Sequence, residues 1–454
     1  MVTSELRLRL GALQGDPRLG LSPRVPAAQT SASPVLDEEG RSAGFRQLGF
    51  DWDGRRGLLV RSLDMSTADL GISADLLAAD RLHNLSDVVP KVPTTITYFD
   101  LETTGLQRGT GTVPFLYGWA VITGDRVHFE QWLLTQLGQE APLVEAAISQ
   151  LRATDLLVTY NGASYDLPLL RTRMVMAGVD RAWPATPHLD LLPMVRKLFR
   201  HRLDRCSLRR VEESVLGLSR DHDLPGREAP ERYWQFLRSG DPLPLAAVLE
   251  HNQQDVLSLA RLLERLVRHV DLEGPHPSDW LSLGRFIEAR GDLRGAEGVY
   301  RRAETCSPPP LDRAAALRRA RLLRRQGLED QARQAWSSIW ERWHDPEAAE
   351  AMCIDLEHRQ NDLGGALELA REGLRAAPVG WDQRFARRIW RLQSRLGPTG
   401  PGVPSAGGRT VGKPWSGWLP GGESYEAWIA LRRGGDPSRA LGERRLVRAP
   451  AVGR

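Results

Sequence analysis

Lysine is nearly missing from this chain. Of 61 basic residues only Lys91, Lys197 and Lys413 are lysine, a bias that reads as genome composition rather than selection for phosphate binding. Cysteine is scarce too. Cys206, Cys306 and Cys353 lie far apart, with no CxxC or His/Cys spacing, which argues against a zinc site and a disulfide framework and for a reducing, cytoplasmic setting. No run approaches 18 uncharged apolar residues, so no membrane span is expected. The opening "MVTSELRLRLGALQGDP" lacks the apolar core of a secretion signal. The net charge of +4 is also less informative than it looks. Residues 398–454 carry nine basic against four acidic side chains, which leaves the remainder close to neutral.

What is present divides the 454 residues into more than one folded part, since a single core seldom grows so large. Residues 1–44, rich in Pro, Ser, Gly and Ala, are expected to lack order, and 45–92 form a partly structured lead-in. From 93 to 271 strands come first and helices later. "TITYFDLE", "PFLYGWAVI" and "RVHFEQWLL" predict an antiparallel meander. "APLVEAAISQLRA" is an amphipathic helix, "TDLLVTY" a buried strand and "DLPLLRTRMVMAG" another helix. "LLPMVRKLFRHR", "SLRRVEESVLG" (Ser207 its N-cap), "ERYWQFLRSG" and "LAAVLEHNQQDVLSLARLLERLV" predict further helices. The expected class is α/β, a mixed sheet flanked by helices. Residues 276–397 predict an all-α unit of helical repeats, because small alanines recur at Ala296, Ala332 and Ala366 with Tyr300, Trp336 and Ala370 four residues after each. In the first repeat Trp280, Leu283, Gly284, Ala303 and Pro308 fall at tetratricopeptide offsets. Residues 398–454 are expected to be a flexible basic tail, in which Trp415, Trp418 and Trp428 suggest a docking segment.

The chemistry is carried by acids. In "TITYFDLETTGL" (residues 95–106) a β-branched and aromatic strand ends in Asp100 and Glu102, which share one face while Phe99 and Leu101 take the other. Like charges so close repel, so either a cation sits beside them or they are a solvated strand end. "YNGASYDLPLL" supplies Asn161, Tyr165 and Asp166 at a helix start, where Asp166 also suits a cap. "EHNQQDVLSL" places His251 and Asp255 on one helical face, which suits a site or a solvated pair equally. Convergent carboxylates are the oxygen ligands that hard ions such as Mg²⁺ or Mn²⁺ take. A pair of such ions serves in-line phosphoryl displacement. Asp190 in "PHLDLL" is expected to be structural or supporting.

The order "YFDLETTGL", "GTGTVPFLYGW", "YNGASYDLPLLRTR", "HLDLLPMVRKLFRHRL" and "HNQQDVLSLARLL" resembles the YprB-type ribonuclease H-like domain family of the DEDD exonuclease superfamily, over residues 93–271. The resemblance implies a ribonuclease H-like fold and metal-dependent 3′→5′ exonuclease activity on single-stranded ends, DNA favoured, in DNA repair or nucleic-acid processing. Two Mg²⁺ or Mn²⁺ ions would be held by Asp100, Glu102, Asp166 and Asp255, with His251 orienting or deprotonating the water. His251 stands where tyrosine-type relatives have Tyr, which leaves the subgroup open. Thr103, Thr104 and Leu106 would line the terminal nucleotide, with Asn161 and Tyr165 nearby.

"RKLFRHRLDRCSLRR" (196–210) offers Arg196, Lys197 and Arg200 for phosphates, or a solvated helix face. Phe115, Tyr117 and Phe199 are candidate base-stacking aromatics. The repeats would bind a protein partner, a helicase being the candidate that the resemblance implies. A rival expectation is an inactive nucleic-acid-binding scaffold whose repeats recruit that partner.

Overall fold

The computed structural model describes residues 38–73, 78–91, 93–105, 110–179, 182–220 and 224–397. Leu106 and the tail 398–454, with its tryptophans, lie outside these, as do residues 1–37. The chain divides into two compact units, one ending at Gly274 and the other beginning at Pro275.

The first unit is built on a seven-stranded mixed sheet. Its elements are α1 (Glu38–Gln47), β1 (Phe50–Asp53), β2 (Leu58–Ser66), α2 (Ala79–Leu85), β3 (Ile96–Thr103), β4 (Pro114–Thr123), β5 (Arg126–Leu133), α3 (Ala141–Arg152), β6 (Leu156–Thr159), α4 (Asp166–Met176), β7 (His188–Asp190), α5 (Leu191–Phe199), α6 (Leu208–Val211), α7 (Ala229–Ser239) and α8 (Ala246–Val270). A π-helical turn, Glu212–Leu216, follows α6. Strand order is β1-β2-β5-β4-β3-β6-β7. The antiparallel meander β3-β4-β5 forms as its β-branched and aromatic content predicts, and β6 and β7 add in parallel. Two features lie beyond the sequence expectation. Residues 50–66, expected only as a lead-in, extend this same sheet, because β2 pairs antiparallel with β5. Helix α1 begins within the 1–44 segment expected to lack order.

Both faces of the central strands are covered, so β3 is buried along nearly its whole length. Phe99 stacks on Trp119 with ring centroids 4.0 Å apart, and Trp119 meets Trp132 at 5.2 Å. On the opposite face helix α8 lies against β3 and β4. Its close approach needs Gly118, which pairs with Asp100 in register. A Cβ at Gly118 would overlap Asn252 Oδ1 and stand 2.8 Å from Val256 Cγ2. The register of β3 shifts between Glu102 and Thr103, a bulge that ends regular pairing where the carboxylates project.

The second unit is all-α: α9 (Trp280–Ala289), α10 (Leu293–Cys306), α11 (Leu311–Arg325), α12 (Glu329–Trp343), α13 (Pro346–His358), α14 (Leu363–Ala376) and α15 (Asp382–Leu396). Each helix packs on the next in chain order. The recurring Ala296, Ala332 and Ala366 are all buried, as are Tyr300, Trp336 and Ala370. Gly284 faces Tyr300 so closely that a Cβ there would stand 2.5 Å from the ring. Asp292 and Asp362 each cap a helix by accepting the N–H of a glycine three residues on. Among the described residues no helix is long and apolar enough to cross a membrane.

Candidate active site

Strand β3 delivers Asp100 and Glu102 to one face, the start of α4 delivers Asp166, and α8 delivers His251 and Asp255 one turn apart. The four acids come from elements far apart in sequence, yet they sense one another. Burial raises Asp100 well above the usual carboxylate range, and the negative charges of Asp255, Asp166 and Glu102 raise it further, against one hydrogen bond from Asn252. Burial also pushes Asp166 up to about 7, with Asp190 adding repulsion and main-chain N–H groups, including that of Leu101, working the other way. Asp255 is raised by burial despite the opposing pull of His251 and Arg220 beside it. An excess of negative charge set into a buried face calls for a positive partner.

The partner present is Arg220, which no motif or periodicity announces. Its Nη2 lies 2.5 Å from Asp255 Oδ1 and 2.5 Å from Glu212 Oε1. Glu212, on the π-helical turn, is buried and also went unnoticed in the sequence. Arg220 Nη1 stands 3.4 Å from His251 Nδ1. A guanidinium only donates, so His251 Nδ1 accepts and the ring proton sits on Nε2. That nitrogen faces Asp255 Oδ2 at 3.8 Å and Glu102 Oε1 at 4.0 Å. In this arrangement Nε2 points its proton toward the carboxylates.

Asp100 is held from behind. Asn252 Nδ2 donates to Asp100 Oδ2 at 3.0 Å. Gln131 Nε2 donates to Asn252 Oδ1 and to the Leu249 carbonyl, and Arg61 Nη1 donates to Gln131 Oε1. Asn252 is fully buried. It lies three residues from Asp255 on the same helical face, the one clue by which the sequence could have revealed it.

The donor chemistry of the site fits a hard divalent cation: oxygen ligands, buried, and in electrostatic deficit. Among the described residues, however, no three His, Cys, Asp or Glu side chains are drawn round one point as metal ligands would be.

The other expected residues sort by what they touch. Thr103 Oγ1 and Tyr165 OH both donate to the Gly105 carbonyl, and Thr104 exchanges two hydrogen bonds with Val113, so these three shape the turn after β3. Asn161 takes a left-handed backbone (φ 66°), and its main-chain N–H donates to Asp190 Oδ1 at 2.8 Å. Asp190 also caps α5 through the Leu192 N–H, a structural role. Ser207 occupies an N-cap position without a side-chain capping bond.

Arg196 and Lys197 in the last turn of α5 and Arg200 at its C-cap are exposed and form no ion pair among the described residues. Their neighbours are engaged locally: Arg202 on the Ser214 carbonyl, Arg209 on Glu213, and Arg210 on Asp204 and Glu213. The expectation that Phe115, Tyr117 and Phe199 stack on bases is corrected, because all three are wholly buried. Phe115 instead stacks on Tyr233 and Phe199 meets His269 edge-on.

Comparison with known proteins places these observations. A family model described as RNase_H superfamily matches residues 97–267. "Uncharacterized protein YprB" of Bacillus subtilis (strain 168) is 34% identical over 286 residues, covering 61% of this chain and 68% of the relative. Among solved structures, the family B DNA polymerase from Pyrobaculum calidifontis aligns at a TM-score of 0.31 and 17% identity, over 47% of this chain and 28% of the polymerase. At that score nothing about this chain rests on the likeness.

Proposed function

The chain belongs to the YprB family of ribonuclease H-like proteins, and on that premise we propose that its first unit is a metal-dependent 3′→5′ exonuclease that hydrolyses phosphodiester bonds at single-stranded ends, DNA being favoured. The observation that carries the proposal is the charge cluster at Asp100: burial raises Asp100 and Asp166 above the ordinary carboxylate range, and the charges of Asp255, Asp166 and Glu102 raise Asp100 further. These four would hold two Mg²⁺ or Mn²⁺ ions, which when bound supply Lewis-acid activation of water and stabilisation of the leaving oxygen. Glu102 and His251 Nε2, facing each other across 4.0 Å, would orient the water from two sides. Thr103, Thr104, Leu106 and Tyr165 would line the terminal nucleotide. Arg196, Lys197 and Arg200 would take up phosphates at the exposed C-terminal end of α5.

We assign the second unit to a tetratricopeptide array, supported by the buried alanines and the Gly284–Tyr300 packing. Its partner would be a protein of nucleic-acid metabolism such as a helicase, which places the activity in repair or nucleic-acid processing in the cytoplasm.

One observation favours a second reading. Arg220 pairs directly with Asp255, an arrangement that an inactive nucleic-acid-binding scaffold would keep. The two readings separate on single-stranded DNA and matching RNA, each labelled at the 5′ or the 3′ end and incubated with Mg²⁺, Mn²⁺ or EDTA. A metal-dependent ladder from the 5′-labelled strand, absent in Asp100→Ala/Glu102→Ala, is the expected result. Bound but uncut strands under every metal would favour the scaffold.

A further inference from the structure

Arg220 bridges two carboxylates through one nitrogen, Nη2, at 2.5 Å from each. Its side chain is buried, at 7% exposure, beside a Glu212 side chain at 1%. A bridge of this kind leaves part of Glu212 unsatisfied: Glu212 Oε2 is buried without a hydrogen-bond partner. Such an oxygen is costly to leave unmet, and it is what a guanidinium would take up if it turned from the shared position to a two-pronged pairing with Glu212 alone.

We infer that Arg220 is a tethered counter-ion that closes Asp255 to a divalent metal, and that metal binding moves it onto both oxygens of Glu212. The inference rests on the metal-dependent reading above. A guanidinium and a divalent ion cannot both sit on Asp255 without strong repulsion at such range. The metal must therefore displace Arg220, and Glu212 gives the arginine a seat that keeps its charge paired. The same movement releases His251 Nδ1 from its 3.4 Å contact with Arg220 Nη1. Arg220 is thus a positioning residue, acting on the metal through Asp255 and not on substrate.

Mn²⁺ titration calorimetry on the full chain tests this, with no need for activity. Arg220→Gln/Glu212→Gln removes one charge of each sign and keeps the balance of the pair. It is expected to bind Mn²⁺ about ten-fold tighter than the parent, since a competing cation at close range has been removed. Glu212→Gln alone, which takes away the second seat and leaves the arginine on Asp255, is expected to weaken Mn²⁺ binding. A merely structural pair would not give opposite signs. Equal or weaker Mn²⁺ binding by the double variant, with a melting curve like the parent's, overturns the inference. Loss of Mn²⁺ binding in Asp100→Ala/Glu102→Ala would show that the carboxylate reading stands even in that case. If neither the parent nor the double variant binds Mn²⁺, both fall together.

Discussion

The acids of the candidate site in the sheet unit and those of the helical unit are treated in opposite ways. In the helical unit buried carboxylates meet arginines. Glu357, with a fully buried side chain, takes Arg388 and Arg391, and Asp345 takes Arg313. Burial would raise Asp355, but hydrogen bonds from Arg333 and Gln360 and the charges of Arg333 and Arg359 outweigh it and hold the group below its ordinary value. In the sheet unit, Asp100 has three other carboxylates and an amide for company, and it is driven upward. A chain with 61 basic residues did not lack arginines to pair there. The lesson is that charge pairing in the helical unit serves the fold, whereas its incompleteness around Asp100 is the mark expected of a functional site.

The largest expected break in this contrast is functional. Asp100→Ala/Glu102→Ala should reduce metal-dependent cleavage by at least about 10³-fold, as loss of the charges that organise a phosphoryl-transfer site does. It should also leave the metal-free protein at least as stable as the parent, because repulsion is removed. Cleavage assays beside melting curves in EDTA check both parts, and a large loss of stability would contradict the electrostatic account. The mirror experiment is Glu357→Gln in the helical unit. Arg388 and Arg391 would lose their shared partner, at a cost of about 3 kcal/mol, seen as a lowered denaturation midpoint for that unit with cleavage unchanged.

A smaller break tests how the site is held together. Gly118→Ala places a methyl against Asn252 Oδ1 and Val256 Cγ2. Both belong to the rigid face of α8, so the helix must move away from β3, at a cost of about 2 kcal/mol. Because Asn252 carries the hydrogen bond to Asp100, Mn²⁺ affinity should fall as well. A variant that melts earlier yet binds metal normally would separate the packing of α8 from the site.

Periodicity carried most of the fold into view. The meander β3-β4-β5, the helices around it and the recurring alanines each leave a repeating mark on the sequence. Strand β7, three residues long, is too short for a period of two to register. The pairing of β2 with β5 is a long-range match that no local pattern announces. The carboxylates were legible because a strand end and a helical turn fix which side chains share a face. Arg220 sits outside regular helix and strand, where spacing says nothing about direction. The aromatics misled for a related reason: with both faces of β4 covered, alternation no longer tells an outward ring from an inward one, and Phe115 and Tyr117 are buried.

The finest probe of the contrast is pH. Burial first, then Asp190, lifts Asp166 to about 7, above the value near 3.8 of an unfolded chain. Between those values the folded state binds the additional proton, so stability falls as pH rises through the window. Its slope is at most about 1.4 kcal/mol per pH unit from this group. The contribution is fully present below the unfolded value and lost as pH passes the folded one. In the helical unit Asp355 is displaced the other way, below its ordinary value, so its contribution is held at neutral pH and lost only in acid. Melting in EDTA from pH 5 to 7.5 should therefore show a declining midpoint for the sheet unit, flattened in Asp166→Asn, and a steady one for the helical unit. Mn²⁺ should raise the sheet unit's midpoint most at the upper end, where the carboxylates are ionised and need a cation. A decline that persists unchanged in Asp166→Asn would assign the slope to other groups and leave the depth of charge deficit at Asp166 overstated.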